Sequence, residues 1–185
     1  MFDIKEVKGS AGGITYDDTI YDLVVEVIND TARGELVAVY FFEDSSNAFV
    51  TFKNYYSVAP TTYKFKGNKV LDGRPMQSGE FEFALYENNS TTAKEVVKNH
   101  ANGEFEFSEI TYAFAGVYNY TIREVKGNAG GVTYDTKEIK ITLTVTDNGD
   151  GTLTAVSNVA NSAIAFTNTY KAASTSVTFK GNKDF

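Results

Sequence analysis

Three polar side chains occupy strand positions where the surrounding pattern is apolar. Successive side chains of a strand point to opposite sides. From Tyr63 onward, Tyr63, Phe65, Gly67, Lys69 and Leu71 therefore share one face, and Lys64, Lys66, Asn68 and Val70 share the other. Tyr118, Tyr120, Ile122 and Glu124 share a face in the same way, as do Ile164, Phe166, Asn168 and Tyr170. An amine, a carboxyl and an amide are thus each predicted on the inward side of a different strand. A lysine stripped of water is a nucleophile, and a buried carboxyl can move protons. Such groups are seldom buried unless paired. Parity alone does not bring the three together. The alternative is that each sits at a strand end and reaches solvent.

The same parity recurs elsewhere in the chain. Phe2, Ile4 and Glu6 share a face, as do Val50, Phe52, Asn54 and Tyr56, and Phe179, Gly181, Lys183 and Phe185 line up alike. The recurrence follows an internal repeat. IKEVKGSAGGITYDD from Ile4 returns as IREVKGNAGGVTYDT from Ile122, an offset of 118 residues (122 − 4). VTFKNYY from Val50 returns as IAFTNTY from Ile164, and YKFKGNKVL from Tyr63 as VTFKGNKDF from Val177, both offset by 114 (164 − 50 and 177 − 63). The change of offset marks a loop-length difference near Asn148–Thr152. Solenoid repeats run at about 20–50 residues, so this period is that of a whole domain. The boundaries expected are a complete module at 58–171, the C-terminal half of a preceding module at 1–57, and the first strand of a following module at 172–185. Ser57–Thr62 and Ala172–Ser176 read as short linkers, and both ends of the sequence read as cut.

The elements that must position these residues are strands. Thr, Val, Tyr and Phe dominate the runs between Gly and Asn punctuation, with 12 Tyr and 14 Phe in 185 residues, a β-rich composition. Strands are predicted at 63–71, 80–87, 93–98, 104–110, 116–125, 138–147, 152–158 and 163–170. Turn signals separate them at Asp72-Gly73, Asn102-Gly103, Gly130-Gly131 and Asn148-Gly149-Asp150-Gly151. A short helix at 92–99 competes with the third of these strands. Many short strands with regular turns predict an all-β fold of immunoglobulin-like β-sandwich modules in tandem.

The net charge of −7 argues against nucleic acid, which needs clustered Lys and Arg, and against docking on an anionic membrane. No apolar run reaches the length of a membrane span, and neither a secretory leader nor a sorting signal is visible in the sequence. Cysteine is absent, so a small extracellular module of this kind would need a staple other than a disulfide.

At these residues the chain resembles the streptococcal pilin isopeptide-linkage domain family, related to the B-type repeats of collagen adhesins. The matching stretches are FKGNKVLDGRPM from Phe65, GEFEFALYE from Gly79, NGEFEFSEITY from Asn102, AGVYNYTIREVKGNAGGVTYD from Ala115 and IAFTNTY from Ile164. The resemblance implies that Lys69 is the nucleophile, Asn168 the acceptor and Glu124 the catalytic acid of an isopeptide bond. Glu6 and Asn54 would serve the preceding module and Lys183 the following one. Lys66 lies close to Lys69, and only parity favours Lys69. In the chemistry implied, desolvation lowers the lysine pKa, Glu124 hydrogen-bonds the Asn168 amide oxygen and makes its carbon electrophilic, the amine attacks and ammonia leaves. Each module reacts once, so the chain is not an enzyme with turnover. No cofactor and no metal is implied.

The resemblance points to a structural stalk or shaft module of a Gram-positive surface adhesin or pilus-like protein. Such a protein is extracellular and anchored to the cell wall through segments outside this sequence. Its partners would be neighbouring modules of the same polypeptide, with a host surface ligand bound through another domain. The competing reading is a ligand-binding adhesin domain for host glycan or matrix protein. TDNGDGTL at Thr146 resembles part of a calcium loop but has no closing Glu at the required spacing, and it is read as a hairpin turn. GNAGG at Gly127 lacks the Lys-Ser/Thr of a phosphate cradle. His100 is the sole histidine, so no Ser/His/Asp or Cys/His set can be built.

Overall fold

The structure, a computed structural model, describes residues 1–43 and 49–184. It divides into two compact units, Met1–Ala59 with Asp147–Leu153, and Pro60–Thr146 with the residues from Thr154 onward. Among the described residues every regular element is a β-strand, apart from one 3-10 turn at Asn161–Ala163.

The first unit holds β1 (Phe2–Lys5), β2 (Ile14–Thr15), β3 (Ile20–Asp30), β4 (Glu35–Phe42) and β5 (Tyr55–Tyr56). β1, β3 and β4 form an antiparallel sheet in that order, and β2 pairs with β5. Leu23, Val25 and Val27 of β3 face Phe42, Tyr40 and Ala38 of β4 across the ladder. This apolar face is largely open: Val25 is 43% and Val27 65% exposed.

The second unit begins with β6 (Thr61–Tyr63), β7 (Lys66–Asp72), β8 (Glu82–Glu87), β9 (Glu95–Lys98), β10 (Glu104–Glu106) and β11 (Ile110–Tyr112). It continues with β12 (Gly116–Val125), β13 (Val132–Thr133), β14 (Glu138–Asp147), β15 (Leu153–Ser157) and β16 (Ala165–Tyr170). One sheet has the order β10-β7-β16-β13, and the other the order β15-β14-β12-β8-β9. β6 and β11 make a separate two-stranded ladder. Phenylalanines fill the core. Phe83 stacks on Phe105 with centroids 3.8 Å apart, and Phe166 lies 5.4 Å from Phe83. Full burial of each such side chain is worth about 1.5–3 kcal/mol. Ile141, Leu143 and Val145 lie 118 residues after Leu23, Val25 and Val27, and all three are buried.

Several predicted strands are adjusted. The strand expected at 63–71 is two strands, because β6 pairs with β11 whereas β7 pairs with β10 and β16. The Asn161 side chain serves the backbone at the break, accepting from Lys66 N–H (3.2 Å) and donating to Lys64 C=O (3.1 Å). The strand expected at 104–110 also breaks. Phe107 N–H turns to Phe65 C=O (3.0 Å), and Ser108 N–H donates to the Glu95 carboxylate (2.9 Å). The 92–99 stretch contains strand β9 and no helix. β13 was not anticipated, since two residues carry no periodicity. Thr146 to Leu153 spans the turn between β14 and β15, where Gly149 and Gly151 take positive φ.

Candidate functional site

Alternation along β7 buries Phe65, Gly67 and Lys69 and exposes Lys66, Asn68 and Val70. Lys66 instead places its ammonium 3.3 Å from Glu106 at the surface. The Lys69 side chain is fully enclosed, and its Nζ lies 4.8 Å from the centre of the Phe81 ring. Burial pushes its pKa below the ordinary lysine value, although the Glu124 carboxylate pulls the other way.

Glu124 ends the inward row Tyr120, Ile122, Glu124 of β12, all buried. It belongs to the sheet facing the one that carries Lys69 and Asn168. Its Oε2 accepts from Lys69 Nζ at 2.7 Å, and its Oε1 accepts from Asn168 Nδ2 at 2.7 Å. Asn168 is fully buried on β16, and β16 runs parallel to β7. The structure thus brings Lys69, Glu124 and Asn168 together, where sequence parity left the meeting open.

The orientation of the Asn168 amide differs from expectation. Its Oδ1 accepts from Asp135 N–H at 2.7 Å. A backbone N–H can only donate, so the atom facing it is the amide oxygen. Glu124 therefore meets the amide nitrogen, and a main-chain donor meets the oxygen. Asp135 escaped the sequence reading, although the repeated TYD of residues 15–17 and 133–135 was visible.

In the first unit, Asn54 Nδ2 donates to Glu6 Oε1 at 2.6 Å, and Asp17 N–H donates to Asn54 Oδ1 at 2.9 Å. Glu6 lies just beyond β1 and Asn54 just before β5. Asn54 is exposed and Glu6 partly so, so the inward register expected of them is not a closed core here. Lys183 lies in the exposed segment 171–184, which forms no helix or strand. Phe185, predicted to share its face, lies outside the described residues.

Comparison with known proteins places the chain in a family. Residues 1–57 and 65–171 match the family described as FctA, Spy0128-like isopeptide-containing domain. The chain belongs to this family. The FctA match covers both units and includes Lys69, Glu124, Asn168, Glu6 and Asn54. No curated protein matches the chain. Among solved structures, it is similar to a mutant of the major pilin of Streptococcus pyogenes, at 16% identity and TM-score 0.25, covering 89% of this chain and 66% of that one. It is also similar to the S. pyogenes major pilin T3.2, at 20% identity and TM-score 0.22, covering 88% of this chain and 62% of that one. The chain therefore spans less than two thirds of the length of either pilin. The fold is that of immunoglobulin-like sandwich modules of the collagen-adhesin B type.

Proposed function

We propose that the FctA module at about residues 58–171 forms one Lys69–Asn168 isopeptide bond by itself and serves as a structural module of a surface shaft. The reading rests on one observation: a single buried carboxylate receives hydrogen bonds from both nitrogens that would exchange places. Neutral Lys69 Nζ attacks Asn168 Cγ. As the new C–N bond forms, Nζ gives a proton to Glu124 Oε2. The carboxyl then turns to pass that same proton from Oε2 on to Nδ2, the old C–N bond breaks, and ammonia leaves. Glu124 ends as it began, and the product is an amide between two strands of one sheet. Folding holds the reacting groups together, which replaces a bimolecular encounter. The event occurs once per module, so this is self-modification and not turnover.

An amide staple suits a cysteine-free chain, since it resists reduction where a disulfide would not. Glu6 and Asn54 have the same roles in a preceding module, and Lys183 is the nucleophile of a following one. The setting is an extracellular pilus-like or adhesin shaft on a Gram-positive cell wall, with neighbouring modules of the same polypeptide as partners.

The test is the intact mass of the purified chain beside Lys69→Ala, Glu124→Ala and Asn168→Ala. A wild-type mass lower by one ammonia, restored in all three variants, is the expected result. A wild-type mass equal to that of the sequence would sink the proposal.

A further inference from the structure

Both units repeat a clamp around the asparagine that the bond-forming trio does not include. In the second unit, Asp135 N–H donates to Asn168 Oδ1 at 2.7 Å. The Asp135 side chain is tied on both sides: Oδ2 accepts from Thr167 N–H at 2.9 Å, and Oδ1 accepts from Lys137 N–H at 3.0 Å. Thr167 immediately precedes Asn168, so the same aspartate grips the main chain of β16 and the amide oxygen of its next residue. The Lys137 ammonium, 3.2 Å from Oδ2, adds a charge. In the first unit, Asp17 N–H donates to Asn54 Oδ1 at 2.9 Å and to Glu6 Oε2 at 3.1 Å. Asp17 Oδ2 accepts from Lys53 N–H at 2.7 Å, and Oδ1 accepts from Thr19 N–H at 2.8 Å. Thr167 and Lys53 are equivalent in the repeat (167 − 53 = 114), as are Asp135 and Asp17 (135 − 17 = 118).

We infer that the Asp135 main-chain N–H is the oxyanion donor of bond formation, and that the Asp135 carboxylate is a positioning group that aims it. The inference rests on the proposed Lys69–Asn168 reaction. When Nζ adds to Cγ, the carbonyl π pair moves onto Oδ1, and a negative oxygen forms at a tetrahedral carbon. Glu124 cannot serve that oxygen, because both its oxygens face nitrogens. The Asp135 N–H points at it already in the ground state and needs no rearrangement. On collapse the C=O re-forms, Nδ2 leaves as ammonia with the proton from Glu124, and the same N–H then binds the isopeptide carbonyl. Asp17 is the corresponding residue for Asn54.

The side chain fixes the donor because Asp135 follows β13 in a segment with no ladder of its own before β14. The carboxylate supplies the missing ties, closing an Asx turn onto Lys137 and a cross-link to β16. Burial alone would raise the Asp135 pKa, but the Thr167 and Lys137 donors outweigh it and hold the value below the usual carboxylate range.

The decisive experiment replaces the 134–135 peptide bond with an ester by semisynthesis, which removes this N–H and keeps the aspartate side chain. Refolding is followed by far-ultraviolet circular dichroism, and bond formation by intact mass. The expected result is native-like folding with bond formation roughly a hundredfold to a thousandfold slower, as for loss of one oxyanion donor. Asp135→Ala should fold and also react more slowly, with Asp135→Asn intermediate because it keeps one acceptor for Lys137 N–H. An ester variant that links at the wild-type rate overturns the inference and leaves the Lys69–Asn168 reaction standing. A wild-type chain that never loses ammonia removes the reaction itself, and with it this role.

Discussion

Lys69 and Asn168 stand on adjacent parallel strands but not opposite each other: Lys69 is level with Phe166, and Asn168 is level with Leu71. Two residues of stagger keep both side chains on the inward face. The long lysine stem spans the offset, and Glu124 reaches both from the facing sheet. A bond made here joins a strand near the start of the module to its last strand. Tension along the chain through this module would load that bond in shear, and the parallel ladder would have little need to unzip.

Glu124→Gln keeps the shape of the carboxyl but cannot take a proton from Nζ and return one to Nδ2. Proton transfer by a positioned group contributes about 10²–10⁴ in rate. The variant is expected to fold and to link at least about a hundredfold more slowly, read from a mass time course after refolding. Linking at the wild-type rate would assign the proton transfer elsewhere.

The Lys69 amine must be neutral to attack. Burial among aromatic rings lowers its pKa despite the Glu124 partner, so the linking rate should rise with pH through a midpoint below the ordinary lysine value of about 10.4. The same shift has a stability consequence in an unlinked variant such as Asn168→Ala. Between the depressed folded value and the unfolded one, the unfolded chain binds more protons. Stability therefore rises with pH across that window. A rate that follows an unperturbed lysine contradicts the role of burial.

Gly67 lies between Phe65 and Lys69 on the buried face of β7. A Cβ added there would lie 2.3 Å from Phe105 Cζ and 2.7 Å from the Ile164 carbonyl oxygen. The carbonyl belongs to the main chain and cannot swing away. Gly67→Ala should therefore destabilise the unlinked module by about 1–3 kcal/mol, the usual cost of overpacking. Urea denaturation on the Asn168→Ala background measures it. A midpoint unchanged from that background would mean the strands part freely at this point.

The linked chain should resist denaturant far better than Asn168→Ala. Closing a loop of about 100 residues is worth about 4.7 kcal/mol in the chain-entropy account. Guanidinium titrations of the two proteins compare them directly. A difference below about 1 kcal/mol would mean that strain in the product cancels the restriction of the unfolded chain.

Much of the site was legible in the sequence because strand parity is a local property. Each residue turns its neighbour to the other face, so Lys69, Glu124 and Asn168 could be assigned inward from their own strands. That assignment also separated Lys69 from Lys66. The 118- and 114-residue offsets likewise follow from sequence alone. In the first unit, Glu6 and Asn54 lie just outside β1 and β5 and are not closed off, since burial depends on what covers the face. Val25 is open where its repeat partner Leu143 is closed.

The tertiary structure decided which strands meet. The parallel pairing of β7 with β16 joins segments almost a hundred residues apart, and no local pattern specifies the partner or the stagger. The same holds for the placement of β12 on the opposite sheet, which turns three inward polar groups into one hydrogen-bonded set. It holds most strongly for Asp135. Its N–H belongs to the main chain and has no side-chain signature, so only folding could aim it at the Asn168 oxygen. Side-chain direction follows from covalent geometry within a strand, whereas partners, register and the Asn168 amide orientation come from hydrogen bonds between distant segments.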